Sequence, residues 1–132
     1  MKVLYKLINC ALAFLVIGCS TQTQVLNLKD SPIPSKAGIQ TMQSARQNII
    51  KGMEYSGWKL KEEQPGIIGA SFSHQEKLAI VDIVYRTNGY DILYKDSKNL
   101  NYYDNRISHL YNRWVLRLDN GIRKVFLKEY KR

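Results

Sequence analysis

The chain changes its hydrophobic period three times. From Leu7 to Ile17 the residues are apolar except for Asn9. Further on, Ile39, Met42, Ala45, Ile49, Ile50 and Met53 fall largely on one side at 100° per residue, with Gln40, Gln43, Ser44, Gln47, Asn48 and Lys51 opposite, which predicts an amphipathic helix. Gly57 is placed to end it, because glycine accepts the left-handed conformation just past a helix end. The period then drops to two. Trp58 and Leu60 alternate with Lys59 and Lys61; Ile68, Ala70 and Phe72 form a second run; Ala79, Val81, Ile83 and Tyr85 form a third; Tyr90 to Lys95 form a fourth. Gln64-Pro65-Gly66 and Thr87-Asn88-Gly89 mark turns, and Asn-Gly is a strong hairpin signal because both residues accept positive φ. Helical spacing returns at the end, where Ile107, Tyr111, Trp114, Val115, Leu118, Ile122 and Val125 share one side of a helix from about Ser108. Asn120-Gly121 is a potential stop inside it, yet Ile122 and Val125 stay in phase, which favours continuation.

Connections this short make neighbouring strands antiparallel. The expected fold class is therefore α+β: two layers, a four-stranded antiparallel meander with an N-terminal and a C-terminal helix packed on one face, in the order α-β-β-β-β-α. Residues 39–132 form one domain in this reading. Residues 19–38 show little apolar periodicity and contain Ser31-Pro32-Ile33-Pro34-Ser35, a poor helix sequence, so they are expected to form a flexible tether. Its coil dimension would be on the order of 25 Å, and its full extension roughly 60 Å.

The N-terminal segment carries an address. Lys2 and Lys6 precede the apolar stretch, and Val16-Ile17-Gly18-Cys19 closes it with a cysteine directly after a small residue. That stretch is much shorter than the roughly 20 apolar residues of a spanning helix, so a cleaved signal is expected over residues 1–18. In order of charge, apolar run and terminal cysteine it resembles a bacterial lipoprotein signal. The resemblance implies a diacylglyceryl group on Cys19, often with a third, amide-linked acyl chain, and hence firm membrane attachment. In Gram-negative relatives an aspartate after the cysteine tends to retain the protein at the inner membrane, whereas Ser20 here implies the outer membrane. Cys10 would leave with the signal and Cys19 would be acylated, so the mature domain would hold no free thiol and no disulfide.

Charge adds a second feature. The formal net charge is +9, of which Lys2 and Lys6 supply two. From Cys19 to Asn105 there are ten basic and nine acidic residues, while Arg106 to Arg132 holds eight basic residues against Asp119 and Glu129. On one continuous helix Arg106, Arg113, Arg117, Lys124, Lys128 and Lys131 share a side. Arg113, Arg117, Lys124 and Lys128 are thus candidates for contact with an anionic surface, where each basic residue close to a charged leaflet contributes about 1 kcal/mol. A solvated helix face accounts for the same pattern. Nucleic acid is not expected, since no nucleic-acid motif is visible.

The third feature is the stretch Asp96-Ser97-Lys98-Asn99-Leu100-Asn101-Tyr102-Tyr103-Asp104-Asn105-Arg106. Asp96, Asn99, Asn101, Tyr102, Tyr103 and Arg106 are residue types that hydrogen-bond and stack on sugars or peptides, and they equally build turns and caps. The acidic positions do not alternate as a calcium loop requires. His74 and His109 are far apart and have no neighbour at ligand spacing, so no metal and no cofactor are expected. Glu62-Glu63, Asp82, Ser71 and Ser73 form no catalytic constellation, which argues against an enzyme.

From the first helix through Trp58, the 96–102 loop and Tyr111-Asn112-Arg113-Trp114-Val115, the chain resembles a group of small Gram-negative envelope lipoproteins, a likeness that brings no activity with it. Its helix-sheet-helix layout is similar in architecture to domains of lipoproteins that assist outer-membrane β-barrel assembly, and fold analogy is a weak guide to function. The expected function is a lipid-anchored, non-enzymatic binding or accessory module on the periplasmic face of the outer membrane, with an envelope protein or anionic lipid as partner. The alternative is a small-ligand or glycan receptor using the 96–106 loop.

Overall fold

The computed structural model describes residues 22–34 and 40–132. The signal, Cys19 and Ser20 lie outside the described residues, as do Ile39 and positions 35–38 of the expected tether. The order of elements is β1 (Gln22–Gln24), β2 (Leu28–Pro32), α1 (Met42–Tyr55), β3 (Lys59–Gln64), β4 (Ile67–His74), β5 (Lys77–Arg86), β6 (Gly89–Lys98), β7 (Arg106–Ser108) and α2 (His109–Tyr130).

The class is α+β, and the predicted meander is present as β3 to β6, each strand antiparallel to the next. The sheet has five strands rather than four, in the order β2-β6-β5-β4-β3. The extra strand corrects the tether reading. Ser31 pairs with Tyr90 and Pro32 with Gly89, so the proline-containing segment lies along the edge of β6. Proline lacks an N–H, which an edge strand tolerates on its open side. β1 in turn pairs with β7 as a separate two-stranded ribbon. Val25 and Ile33 are buried in the core, so residues 22–34 belong to the folded domain. Short strands of mixed polarity, one of them broken by a register shift after Leu28, leave no clean alternation to read.

The period-two runs place Ile68 and Ala70 of β4, Ala79, Val81, Ile83 and Tyr85 of β5, and Tyr90 and Ile92 of β6 in one core with Ala45, Ile49 and Met53 of α1. α2 adds Tyr111, Trp114, Val115, Leu118, Ile122 and Phe126. Its aromatic rings meet the sheet directly. Trp114 lies 4.9 Å from Phe72 between ring centroids, Tyr111 meets Tyr94 edge-on at 5.4 Å, and Phe126 stacks on Tyr90 at 6.4 Å. Elsewhere on the sheet, Lys95 reaches Glu62 at 2.6 Å and Asp82 at 3.6 Å.

The helix ends follow local chemistry. Thr41 caps α1 by accepting from the Ser44 N–H, and Ser44 Oγ accepts from the Thr41 N–H in return. Gly57, at φ +84°, turns the chain out of α1 as its position predicts. Ser108 caps α2, so Arg106 sits in β7 and not on the helical stripe where the sequence pattern put it. The helix continues through Asn120-Gly121 to Tyr130. Among the described residues no helix is long and apolar enough to cross a membrane.

Candidate functional site

Glycine decides how closely the two helices pack. A Cβ added to Gly52 would lie 2.5 Å from the Ile122 Cα, and one added to Gly121 would lie 2.7 Å from the Gly52 carbonyl oxygen. The backbones therefore touch at their crossing, where any larger side chain would hold them apart. Ser56 at the end of α1 is buried there, its hydroxyl donating to the Gly52 carbonyl at 2.7 Å. α1 stops at Tyr55 whereas α2 runs on, which leaves the solvent side of α2 beside the α1 terminus uncovered.

That uncovered side is a basic groove. Tyr55, Ser56 and Gly57 form one wall, and Arg113, Leu116, Arg117, Asn120, Gly121 and Lys124 form the other, around an open volume of about 680 Å³. Towards the C-terminus it adjoins a cleft of about 310 Å³ that shares Tyr55, Gly121 and Lys124 and adds Lys51, Val125, Lys128, Glu129 and Arg132. Towards the helix start, Arg113 and Arg117 also line a cleft of about 260 Å³ with Phe72, His74, Leu110 and Trp114. The four cations singled out from the sequence thus run along one connected surface.

Pairing separates these cations from Arg46, Arg86, Lys95 and Arg123. Arg46 is held by Glu63, Arg86 by Asp30 and Asp91, Lys95 by Glu62 and Asp82, and Arg123 by Asp119. Among the described residues, no carboxylate pairs with Arg113, Arg117, Lys124 or Lys128; Glu129, which borders the second cleft, is taken by Arg132 at 3.6 Å. Unpaired like charges along one helix face repel each other and set up a positive potential that only an incoming anion relieves. Tyr55, three-quarters exposed, and Leu116, about half exposed, give the groove an apolar component.

Asp119 lies on the other side of α2 and has a structural role. It is buried, accepts from the Tyr90 hydroxyl at 2.6 Å and pairs with Arg123 at 2.8 Å. Burial first, and the adjacent Asp119 carboxylate second, push the Tyr90 phenol well above its ordinary range.

The 96–106 stretch, which the structure divides between the end of β6, a turn over 99–105 and the start of β7, is built differently from the groove. The Asp96 carboxylate accepts from the Ser97 N–H, and the Asn99 amide donates to the Glu76 carbonyl. Asn99, Asn101, Asp104 and Asn105 all adopt positive φ, between 49° and 60°, which is why amide and acid residues dominate here. Tyr102 stacks on Tyr94 at 4.6 Å, while Tyr103 and Arg106 exchange backbone hydrogen bonds of 2.9 Å. Tyr103 is 79% exposed. The structure brings Asn101 and Arg106 to β1, through Gln22, and none of Tyr102, Tyr103 and Arg106 lines the three clefts along α2. Loop and groove are separate surfaces.

Sequence reasoning missed Tyr55, Leu116 and Asn120 as groove residues. Leu116 carried a readable signal, because it is an apolar residue between Arg113 and Arg117, off the buried stripe. Among the described residues no group of three or more His, Cys, Asp or Glu is placed to hold a metal ion. No family model, curated protein or solved structure matches the chain.

Proposed function

We propose that this chain is a lipid-anchored, non-enzymatic binding module on the periplasmic face of the outer membrane, and that it captures an acidic segment of an envelope protein along the α2 groove. The address is supported by Val16-Ile17-Gly18-Cys19 and Ser20. One observation carries the binding half: Arg113, Arg117 and Lys124 line a single open groove without a carboxylate, while Arg46, Arg86, Lys95 and Arg123 are each paired. Lys59 and Lys77 also lack a carboxylate partner among the described residues, but Arg113, Arg117 and Lys124 converge on one groove, so their positive charge is available there for a partner. Complementary charge of this kind speeds encounter and fixes orientation, and Tyr55 with Leu116 adds contact area that water leaves.

The test is photo-crosslinking in cells from a reactive residue at Leu116. The expected result is one recurrent envelope protein, lost when Arg113 and Arg117 are both changed to glutamate. A product pattern unchanged by the charge reversal would remove the groove from the function. Anionic headgroups present the same charge, and the two sources separate readily. Crosslinking to lipid rather than protein, with the same loss on charge reversal, would assign the groove to the leaflet.

A further inference from the structure

Pairing of β1 and β2 into the fold limits how far the domain can stand from a membrane that holds Cys19. A tether of about twenty residues would let the domain take any orientation. Strand β1 instead starts at Gln22, and only Ser20 and Thr21 separate it from Cys19 in the sequence. Three residue steps span at most about 10 Å. The headgroup layer of one leaflet is itself roughly 5–8 Å thick, the difference between a bilayer's full thickness and its hydrocarbon core, shared between two faces. A chain acylated at Cys19 therefore has no room to hold β1 far from the surface.

β1 is also rigidly joined to the rest of the domain. It pairs with β7 from Gln22–Ser108 to Gln24–Arg106, and the Val25 N–H donates to the Asn105 carbonyl at 2.9 Å. Asn112 in the first turns of α2 clamps the segment from the other side, donating to the Gln24 carbonyl at 2.9 Å and accepting from the Leu26 N–H at 3.0 Å. Arg106 donates to the Gln22 carbonyl, and the Gln22 side chain donates to the Asn101 carbonyl. Whatever holds Gln22 at the surface holds the 99–106 turn there too.

The turn has suitable chemistry for that position. Tyr102 and Tyr103 are its exposed large side chains, and Arg106 stands beside them. Tyrosine combines an apolar ring with a polar tip and is favoured at the level of lipid headgroups, where arginine meets phosphate. We infer that the pole formed by β1, β7 and the 99–106 turn rests on the bilayer interface, with Tyr102, Tyr103 and Arg106 among the headgroups; this rests on the acylation of Cys19 proposed above. The loop is then a membrane-contact surface that fixes the domain's orientation.

The experiment uses the full acylated chain, in which an introduced cysteine is the one free thiol once Cys19 is blocked. Tyr103→Cys places a spin label at the proposed contact. Thr87→Cys places one at the far end of β6, whose ten residues span about 30 Å. Both proteins are reconstituted in vesicles of phosphatidylethanolamine and phosphatidylglycerol, floated, and probed by collision with a water-soluble nickel chelate. The expected result is that accessibility at 103 falls several-fold below that at 87. Equal accessibility at the two sites in a chain that floats overturns the orientation and leaves the acylation standing. A chain that does not float with the vesicles overturns the acylation, and the orientation with it.

Discussion

Gly121 of α2 lies against Ser56 of α1 so closely that a Cβ on the glycine would fall 1.8 Å from the Ser56 Oγ. Helical glycine costs up to about 1 kcal/mol relative to alanine on propensity alone, so an alanine there would favour the isolated helix. Packing reverses the sign. Gly121→Ala is expected to destabilise the domain by about 1–3 kcal/mol, the usual range for overpacking a tight contact. Urea denaturation measures it, and a variant as stable as the parent would show that the helices separate at no cost.

The Tyr90–Asp119 hydrogen bond joins the sheet to α2 across the core. Removing the hydroxyl with Tyr90→Phe keeps the ring contact with Phe126, and the loss expected for a charge-assisted bond is roughly 1.5–3 kcal/mol. A double-mutant cycle with Asp119→Asn isolates the coupling, and a value near zero would assign the stability to burial alone. The tyrosine also predicts an alkaline limit. Because the folded phenol is raised above the unfolded one, its contribution is complete below the unfolded value of about 10 and is lost as pH rises further. Burial raises Tyr111 as well, so two phenols are expected to ionise only on unfolding in an absorbance titration.

Acid destabilisation is expected from the other end of the scale. Hydrogen bonds from Lys95 to Glu62 and from Arg46 to Glu63 lower both carboxyls below their ordinary range. Groups depressed in the folded state stabilise it above the unfolded value of about 4.3, and the contribution is lost as pH falls through the folded values. The denaturation midpoint should therefore drop below about pH 4 in low salt, and the combined variant E62Q/E63Q should show a shallower drop. An equally steep acid limb in that variant would place its origin elsewhere.

The α2 cations separate binding from stability. Arg113, Arg117 and Lys124 hold no carboxylate among the described residues, and they repel one another along one helix face. Replacing Arg117 with glutamine is expected to leave stability within about 0.5 kcal/mol or to raise it, as surface changes away from structural contacts do. Arg123→Gln, which removes the ion-pair partner of Asp119 and leaves it the Tyr90 hydroxyl, is expected to lower it. A thermal melt of each variant decides, and a marked loss on changing Arg117 would make the groove structural.

The sequence by itself determined the elements that carry a strong period. α1, β4, β5, β6 and α2 are legible because each repeats its apolar positions often enough to define a buried face, whereas β3, exposed along its whole length, is legible from the Gln64-Pro65-Gly66 turn that joins it to β4. Gly57 was legible as a stop because backbone conformation is a local property. Gly121 was not legible as a packing residue, because its reason is Gly52 and Ser56 on another helix. The same holds for the groove: the stripe of Arg113, Arg117, Lys124 and Lys128 was legible along the chain, and only the folded chain placed Tyr55, Ser56 and Gly57 opposite it as the second wall. Residues 22–34 show the limit most clearly. Their polar, proline-broken pattern reads as a tether, and they become strands because β6 and β7 offer open edges whose hydrogen-bonding groups need partners. Period is written along the chain, but a partner exists only once distant residues are brought together, and that is what the tertiary structure decided here.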